Sequence, residues 1–480
     1  MRHRLFRPTQ VSESLRGLGT GYRKPICFGA YKRFDGLPLQ IADRTDADID
    51  TIHNHGISYL IGTEIMRILF VTEQIPYPLD SGGRIRSFHT IKSLAKEHEV
   101  ILLGAGTDEC LPHAIETLGK FCSEIHSVPL NPPRDSSRLF FPLERITYRV
   151  PLSLARHYKA ALADRLKLLL SKTPYDVVHF DHLDGTIYSH LLPPATPTVL
   201  DEHNIVTQQL LTTSRTHPKP LIRLLMRLEA SRVARYEKQT CAKQAFCLVC
   251  SNQDRKYLQT LSPLARIFEI PNGVDLNFFA REMLRETEPA RDASLVFVGT
   301  LDYLPCDLAI QHFLKSILPI IHKTQPSCRF YIVGNNPSNE VRRLASSSNN
   351  VILTGKVPDV RPYLASSHVC VVPILSGSGT RLKILEAMAM QIPVVSTTIG
   401  AEGLRVHNGE NILLADSAEE FAQSVVRLID DAQLAQHIRE NGLKLVREHY
   451  GWDIIARDLL KLYSSFGDTR ESAFSNVSPD

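Results

Sequence analysis

From residue 66 onward the chain alternates short β-branched apolar runs with stretches of helical composition. Arg67-Ile-Leu-Phe-Val-Thr predicts a strand, Ile85 to Glu97 a helix, and Val100-Ile-Leu-Leu-Gly a second strand. Asp176-Val-Val-His-Phe, Thr198-Val-Leu-Asp and Phe246-Cys-Leu-Val-Cys-Ser follow, each bounded by helix-like or turn segments. Near-continuous apolar strands separated by helices imply a parallel sheet covered on both faces. A break falls at Ile270-Pro-Asn-Gly-Val-Asp, followed by a polar stretch without strands from Arg281 to Asp292. The alternation then restarts with Leu295-Val-Phe-Val-Gly, Arg329-Phe-Tyr-Ile-Val-Gly, Asn350-Val-Ile-Leu-Thr-Gly, Val369-Cys-Val-Val-Pro and Ile392-Pro-Val-Val-Ser-Thr, and Asp416 to Phe466 reads as largely helical.

The pattern predicts an α/β protein with two Rossmann-like, doubly wound parallel-sheet domains facing each other across a cleft. The first is expected over residues 66–268 and the second over 272–452. A helix at 453–466 is expected to return to the first domain, and residues 467–480 to form a disordered tail. Ligands should bind where strand C-termini face the cleft. Residues 1–65 carry no sustained period of 3.6 or 2.0, and their early part is basic: Arg2, Arg4, Arg7, Arg16, Arg23, Lys24, Lys32 and Arg33 against Glu13 alone. No apolar run follows that would make a secretory signal. Met66 is the expected functional start, with residues 1–65 a dispensable or disordered extension.

Composition narrows the class. A chain of 480 residues is more than one hydrophobic core usually organises. With 43% hydrophobic and 22% charged residues it is neither collagen-like nor wholly disordered. A net charge of +4 over this length does not point to nucleic acid. No stretch approaches the ~20 uninterrupted apolar residues of a membrane span. Nine cysteines, odd in number and spread through apolar segments, predict free and mostly buried thiols in a reducing, cytoplasmic compartment. Cys247 and Cys250 form a Cys-x-x-Cys, but within a strand such residues point to opposite faces, which argues against zinc or redox chemistry.

The most informative segment is Leu375-Ser-Gly-Ser-Gly-Thr-Arg-Leu-Lys-Ile-Leu-Glu-Ala-Met-Ala, which follows the strand ending at Pro373. Small residues at 376–380 predict a loop, and Arg381 to Met390 a helix. A glycine-rich turn opening a helix offers unpaired N–H groups and the positive end of the helix dipole to an anion. Arg381 and Lys383 add two charges in the first turn, which suits a diphosphate better than a lone carboxylate. Glu386, one and a half turns in, can accept hydrogen bonds from a ribose diol. The plainer alternative is a strand–loop–helix joint with a solvated basic first turn.

These residues, with the segments around them, carry a resemblance. Residues 66–466 resemble the retaining glycosyltransferases of family 4, which have the GT-B fold. The match rests on Met66-Arg-Ile-Leu-Phe-Val-Thr with Ser81-Gly-Gly-Arg, Ile270-Pro-Asn-Gly-Val-Asp, Phe297-Val-Gly-Thr-Leu-Asp-Tyr-Leu-Pro, Gly377-Ser-Gly-Thr-Arg-Leu-Lys-Ile-Leu-Glu-Ala-Met-Ala, Gly400-Ala-Glu-Gly-Leu and Tyr450-Gly-Trp-Asp. The Gly-x-Gly-Thr-Arg-Leu-Lys form resembles a subgroup associated with polysaccharide assembly. The resemblance implies a C-terminal half that binds a nucleotide-sugar, UDP- or GDP-activated, and an N-terminal half that binds a saccharide or lipid-linked acceptor. Glu386 matches the second glutamate of the family's Glu-x7-Glu motif; Ser378 stands where the first would fall. The basic pair that many members carry after Gly299 is absent, and Arg381 and Lys383 are the expected replacements. Gly299, Gly379, Thr380 and Leu382 complete the expected donor site.

In the first half, Ser81, Gly82 and Gly83 open the other cleft-facing helix, an anion site or an ordinary tight turn. The resemblance assigns His203 a place near the transferred sugar; the alternative is a histidine capping a strand end. His179, Asp181 and His182 lack a further ligand at metal-site spacing and read as loop or acceptor-site residues. Trp452 is expected to anchor the final helix where it crosses back. The expected chemistry is front-face attack by the acceptor hydroxyl. Arg381, Lys383 and the amides of Gly379 to Leu382 meet the charge of the leaving diphosphate. No metal or other cofactor is called for, and no nucleic acid.

Two rivals share the fold, a nucleotide-sugar epimerase and a catalytically degenerate binding protein. Two basic stretches, 134–172 with nine Lys/Arg against three Asp/Glu and 215–243 with eight against two, are candidates for an anionic membrane surface and a peripheral position on its cytoplasmic face. A solvated basic helix with an apolar core face is the alternative there.

Overall fold

The computed structural model describes residues 65–107, 109–130, 150–216, 219–280, 292–376 and 379–474. All of them belong to one compact unit, Tyr59–Asp480. The N-terminal extension, most of the 281–292 connection and Ser378 lie outside the described residues.

Two parallel sheets organise the unit. The first holds β1 (Arg67–Gln74), β2 (Glu99–Gly106), β3 (Glu124–Pro129), β4 (Val177–Asp181), β5 (Thr198–Glu202), β6 (Phe246–Val249) and β7 (Ile267–Glu269), in the order β3-β2-β1-β4-β5-β6-β7. The second holds β8 (Ser294–Val298), β9 (Arg329–Val333), β10 (Val351–Gly355), β11 (Val369–Val372), β12 (Val394–Ser396) and β13 (Leu413–Leu414), in the order β10-β9-β8-β11-β12-β13. In each sheet the order reverses beside the first strand, between β1 and β4 and between β8 and β11. A doubly wound sheet leaves its ligand crevice at such a reversal.

Five helices matter for the site: α1 (Gly82–Leu94), α2 (Val206–Thr216), α3 (Pro220–Cys241), α4 (Leu382–Ala389) and α5 (Trp452–Phe474). Alternation along β1 explains why helices cover both faces. Leu69 and Val71 point to one core with Ile101, Leu103, Val178 and Phe180. Ile68 and Phe70 point to the other, with Val100, Leu102 and Val177, under Phe88 and Ile91 of α1 and Ile455, Leu459 and Tyr463 of α5. The C-terminal helix therefore completes the first domain's core. Trp452, its first residue, stacks on His89 of α1 with ring centroids 4.3 Å apart. Helix α5 runs to Phe474, eight residues past the expected end at 466, so the start of the expected tail is helical. The second sheet has its own core, in which Phe313 meets Phe330 at 4.6 Å.

His179 corrects one expectation. It is neither a loop nor an acceptor-site residue but a fully buried member of β4, on the face that α5 covers. Its Nδ1 lies 2.5 Å from the Tyr463 hydroxyl and its ring stacks on Phe70 at 4.4 Å. Burial holds it neutral, with its pKa lowered to about 4 despite the carboxylates of Asp201 and Asp181 nearby. The Cys247 and Cys250 thiols point apart, one toward the Cys241 carbonyl and the other toward that of His203, and all eight cysteines among the described residues are free.

Candidate active site

The strand reversals bring four loops together. After β1 comes Ser81 with the N-terminus of α1, and after β4 comes His182. After β8 comes Gly299, and after β11 the glycine-rich loop that opens α4. The N-termini of α1 and α4 face each other: a Cβ on Gly82 would lie 3.5 Å from Leu382 Cδ1. Gly83 faces the histidines, with His182 Nε2 and His203 Nδ1 at 3.4 and 3.8 Å from the same position on its own backbone. Gly379 has φ 85°, and a Cβ there would collide with Asn204 Oδ1, the residue after His203. Only glycine both adopts this backbone and lets the loop of the second domain reach the first. Gly379→Ala is expected to cost about 1–3 kcal/mol and to weaken nucleotide binding, read by thermal unfolding with and without nucleotide. An unchanged melting temperature and affinity would remove this contact from the account.

The floor of the first half is an ionic network. His203, at the end of β5, is buried, with Nε2 2.9 Å from Asp181 Oδ1 and 3.6 Å from Asp201 Oδ2. Asp181 also accepts from Thr72 Oγ1 at 2.7 Å and Ser87 Oγ at 2.8 Å, and His182 Nδ1 lies 3.3 Å away. Burial alone would raise the Asp181 pKa, but the two imidazoles hold it well below the carboxylate range. The His182 ring lies tilted against that of His203, with centroids 3.7 Å apart and planes inclined by 44°, and His182 has φ 70° and ψ 158°, backbone angles that glycine favours. Its side chain is partly exposed; the desolvation that would lower its pKa is outweighed by Asp181, which raises it to about 9 and favours the imidazolium at neutral pH. Behind them Arg86 of α1 clasps Asp201, with Nη2 to Oδ1 at 2.7 Å, both side chains fully buried.

Asp181, His182 and His203 place one donor atom each within 4.8 Å of one another. His203 is thus the third group that sequence spacing did not supply. The Asp181 carboxylate is already engaged on both oxygens by two hydroxyls and two imidazoles, which fits an ion-pair network rather than a cation site. A second cluster, Glu73, His157 and Asp184, sits at the C-terminal end of β1 with Lys159 Nζ 2.9 Å from Glu73 Oε1. That ammonium already balances the carboxylate.

On the second half, Lys383 Nζ lies 4.0 Å from the centroid of the Phe297 ring and 3.6 Å from Cys306 Sγ. A Cβ on Gly299 would come within 2.6 Å of it, so Lys383 puts its charge directly beside Gly299, where the chain lacks the usual basic pair. Arg381 is the extended residue before α4, and its Nη1 donates back to the Gly379 carbonyl, clasping the loop. Thr380 Oγ1 is 4.0 Å from a Cβ on Gly403, which places the loop beside Gly400-Ala-Glu-Gly-Leu. There a cavity of about 590 Å³ opens between Asn252, Gln253 and Lys256 of the first domain and Gly403, Leu404 and Arg405 of the second. Glu386 lies one turn past Lys383; burial pushes its pKa up to about 7, partly offset by the Lys383 charge.

Sequence reasoning missed Arg86, Asp201 and Asn204. An arginine on the apolar side of a predicted helix and an aspartate at a strand's C-terminus were the only local signals available. Expected site residues from both halves, Gly82, Gly83, His203, Gly379, Thr380, Leu382 and Lys383, converge on one cleft, with Gly299 and Glu386 behind Lys383.

Two facing doubly wound domains, with strand C-termini and two helix N-termini turned to the cleft, define the GT-B class. A family model described as Glycosyltransferase Family 4 matches residues 81–278, and one described as Glycosyl transferases group 1 matches residues 292–431. The chain belongs to this glycosyltransferase family. It is 26% identical over 203 residues to phosphatidyl-myo-inositol mannosyltransferase of Mycolicibacterium smegmatis, a match covering 41% of this chain and 51% of that one. The chain spans about half the length of the curated relatives it matches. Among solved structures it resembles sucrose-phosphate synthase of Thermosynechococcus elongatus (TM-score 0.63, 19% identity, 84% and 100% of the two chains). It also resembles HepE of Anabaena in complex with UDP and glucose (TM-score 0.60, 15% identity, 83% and 100%).

Proposed function

We propose that this chain is a retaining glycosyltransferase that moves a sugar from a UDP- or GDP-activated donor to a saccharide or lipid-linked acceptor, in cell-surface polysaccharide or glycolipid synthesis. One observation carries the reading. The N-termini of α1 and α4 meet across the cleft with Lys383 on one side and the His182–His203 pair on the other. A diphosphate between the helix ends would meet two dipoles and the Lys383 ammonium. The sugar attached to it would lie against the histidines of the acceptor half. The solved relative that holds UDP and glucose supports a nucleotide and a sugar as occupants of such a cleft.

Departure of the nucleotide is the costly step, because negative charge gathers on the diphosphate as the anomeric bond loosens. The α4 amides and Lys383 are fixed in position before that charge appears. His182, charged at neutral pH, stands beside His203 where the acceptor hydroxyl would attack from the face the nucleotide leaves. Nothing in this arrangement calls for a metal, so activity should persist in excess chelator. The eight free thiols among the described residues support a reducing, cytoplasmic setting. Transfer is tested by incubating the full chain with UDP- and GDP-sugars and following nucleotide release and sugar identity. Release of nucleotide supports transfer. A changed sugar without release would mean an epimerase, and neither would mean a binding protein.

Glu386 supplies a pH signature. Below pH 7 its carboxyl is largely protonated, and above it the ionised form can accept from both hydroxyls of a ribose. Nucleotide affinity is therefore expected to rise between pH 6 and 8, by up to about tenfold per unit, and this rise should flatten in Glu386→Gln. Titration calorimetry at several pH values reads it; a slope unchanged in the variant would assign the proton to another group.

A further inference from the structure

The proposed reaction makes no use of the hairpin formed by α2 and α3. It begins two residues past Asn204, and its base is fixed by Glu237 of α3, which accepts from the Thr207 amide at 3.1 Å and the Thr207 hydroxyl at 2.5 Å. On α3, Leu221, Leu224, Leu225 and Leu228 recur at i, i+3, i+4 and i+7 and are 68, 54, 54 and 57% exposed. An apolar stripe of that spacing normally faces a core. Here the core contacts of α3 come from later residues, Ala230, Val233, Thr240 and Cys241.

Along the same outward face the stripe turns basic, with Arg232 four and Arg235 seven positions after Leu228, both exposed. Arg227, also exposed, borders the leucines. The 134–172 stretch meets this helix too: the Ser153 amide donates to Glu229 Oε1 at 2.7 Å, which brings the exposed Leu152 alongside.

We propose that this face docks on an anionic lipid bilayer, the leucines entering the acyl region and Arg227, Arg232 and Arg235 lying at the phosphates. Charge decides the occupant. The one acid among these groups, Glu229, is already taken by Ser153 and by Arg232 at 3.6 Å. A second copy seated face to face would bring arginines against arginines. A bilayer offers an apolar layer bounded by anions, the same order the face presents. The inference deepens the proposed function, since it holds the acceptor half against the source of a lipid-linked acceptor.

The test is flotation of the full chain with vesicles of equal parts phosphatidylglycerol and phosphatidylcholine, and with phosphatidylcholine alone. The chain is expected to float with the anionic vesicles at low salt, to be released as salt rises, and to stay behind with the neutral ones. Leu224→Glu with Leu225→Glu should lower the partition coefficient at least about tenfold, as should Arg232→Glu with Arg235→Glu, each with a wild-type melting curve. Wild type that does not float, or variants that float equally, overturn the proposal. A concentration-dependent dimer that the leucine variant dissolves, without vesicle binding, replaces it with a second copy. Flotation needs neither donor nor turnover, so its failure leaves the transferase reading standing, and the reverse also holds.

Discussion

Replacing Arg86 with methionine is expected to cost about 3–5 kcal/mol of folding stability. The guanidinium is fully buried and joins three elements. Its Nη2 and Nε reach Asp201 on β5 at 2.7 and 3.0 Å, and its Nη1 donates to the Ile270 carbonyl at 2.8 Å and to Asn272 Oδ1 at 3.1 Å, in the link to the second domain. Burial opposes both charges, yet each is held in its ionised form by the other: Asp201 falls below its usual range and Arg86 rises above its own. Removing one partner leaves an uncompensated charge in the interior, which costs more than the pair itself contributes. Arg86→Met with Asp201→Asn should therefore recover much of the loss. Because the Asp201 carboxyl is depressed from an ordinary 3.8, the pair's contribution is present above that pH and is lost as pH falls below it. Wild type and Arg86→Met should converge in acid. Denaturant unfolding of wild type and the two variants against pH checks this. A loss of no more than about 1 kcal/mol, the size of an exposed pair, would mean water reaches the network.

Lys383→Met is expected to lower turnover by about 10²–10³-fold while nucleotide affinity falls about tenfold or less. The ammonium is held by the Phe297 ring of β8 and by the Cys306 thiol of the helix that follows, Leu304–His312, and it lies beside Gly299 rather than reaching out into solvent. A charge fixed in this way interacts more strongly with a diphosphate gaining charge than with one at rest. Arg381→Met should show the smaller drop in turnover, because its guanidinium is already committed to the Gly379 carbonyl. Steady-state turnover and nucleotide dissociation constants for both variants separate these roles. Equal losses in the two quantities would make Lys383 a binding residue and remove it from the transition state.

The two sheets were legible because strands buried on both faces are written as local apolar runs. The misses follow from the same logic. Strand β3 has a partly exposed edge pattern, while β7 and β13 are three and two residues long, too short to show a period. The glycine-rich loop was legible for a related reason: its glycines, its cations and Glu386 lie within ten residues, and a turn followed by a helix start is a local event. The floor of the first domain's half of the cleft was not. Arg86 and Asp201 are 115 residues apart, and His179 meets Tyr463 across 284. No local pattern distinguishes a histidine in a buried strand with a distant phenol partner from one at a cleft. Asp181 and His203 show the same limit, since two neighbouring strands of one sheet bring them together.

On the proposed reading the cleft holds a nucleoside diphosphate through α4. The most direct measurement is thermal unfolding of the full chain with UDP and with GDP, alongside Glu386→Ala. One of the two is expected to raise the melting temperature, with a shift that grows with the logarithm of concentration and that Glu386→Ala abolishes. A cooperatively melting chain that neither nucleotide shifts would contradict the account.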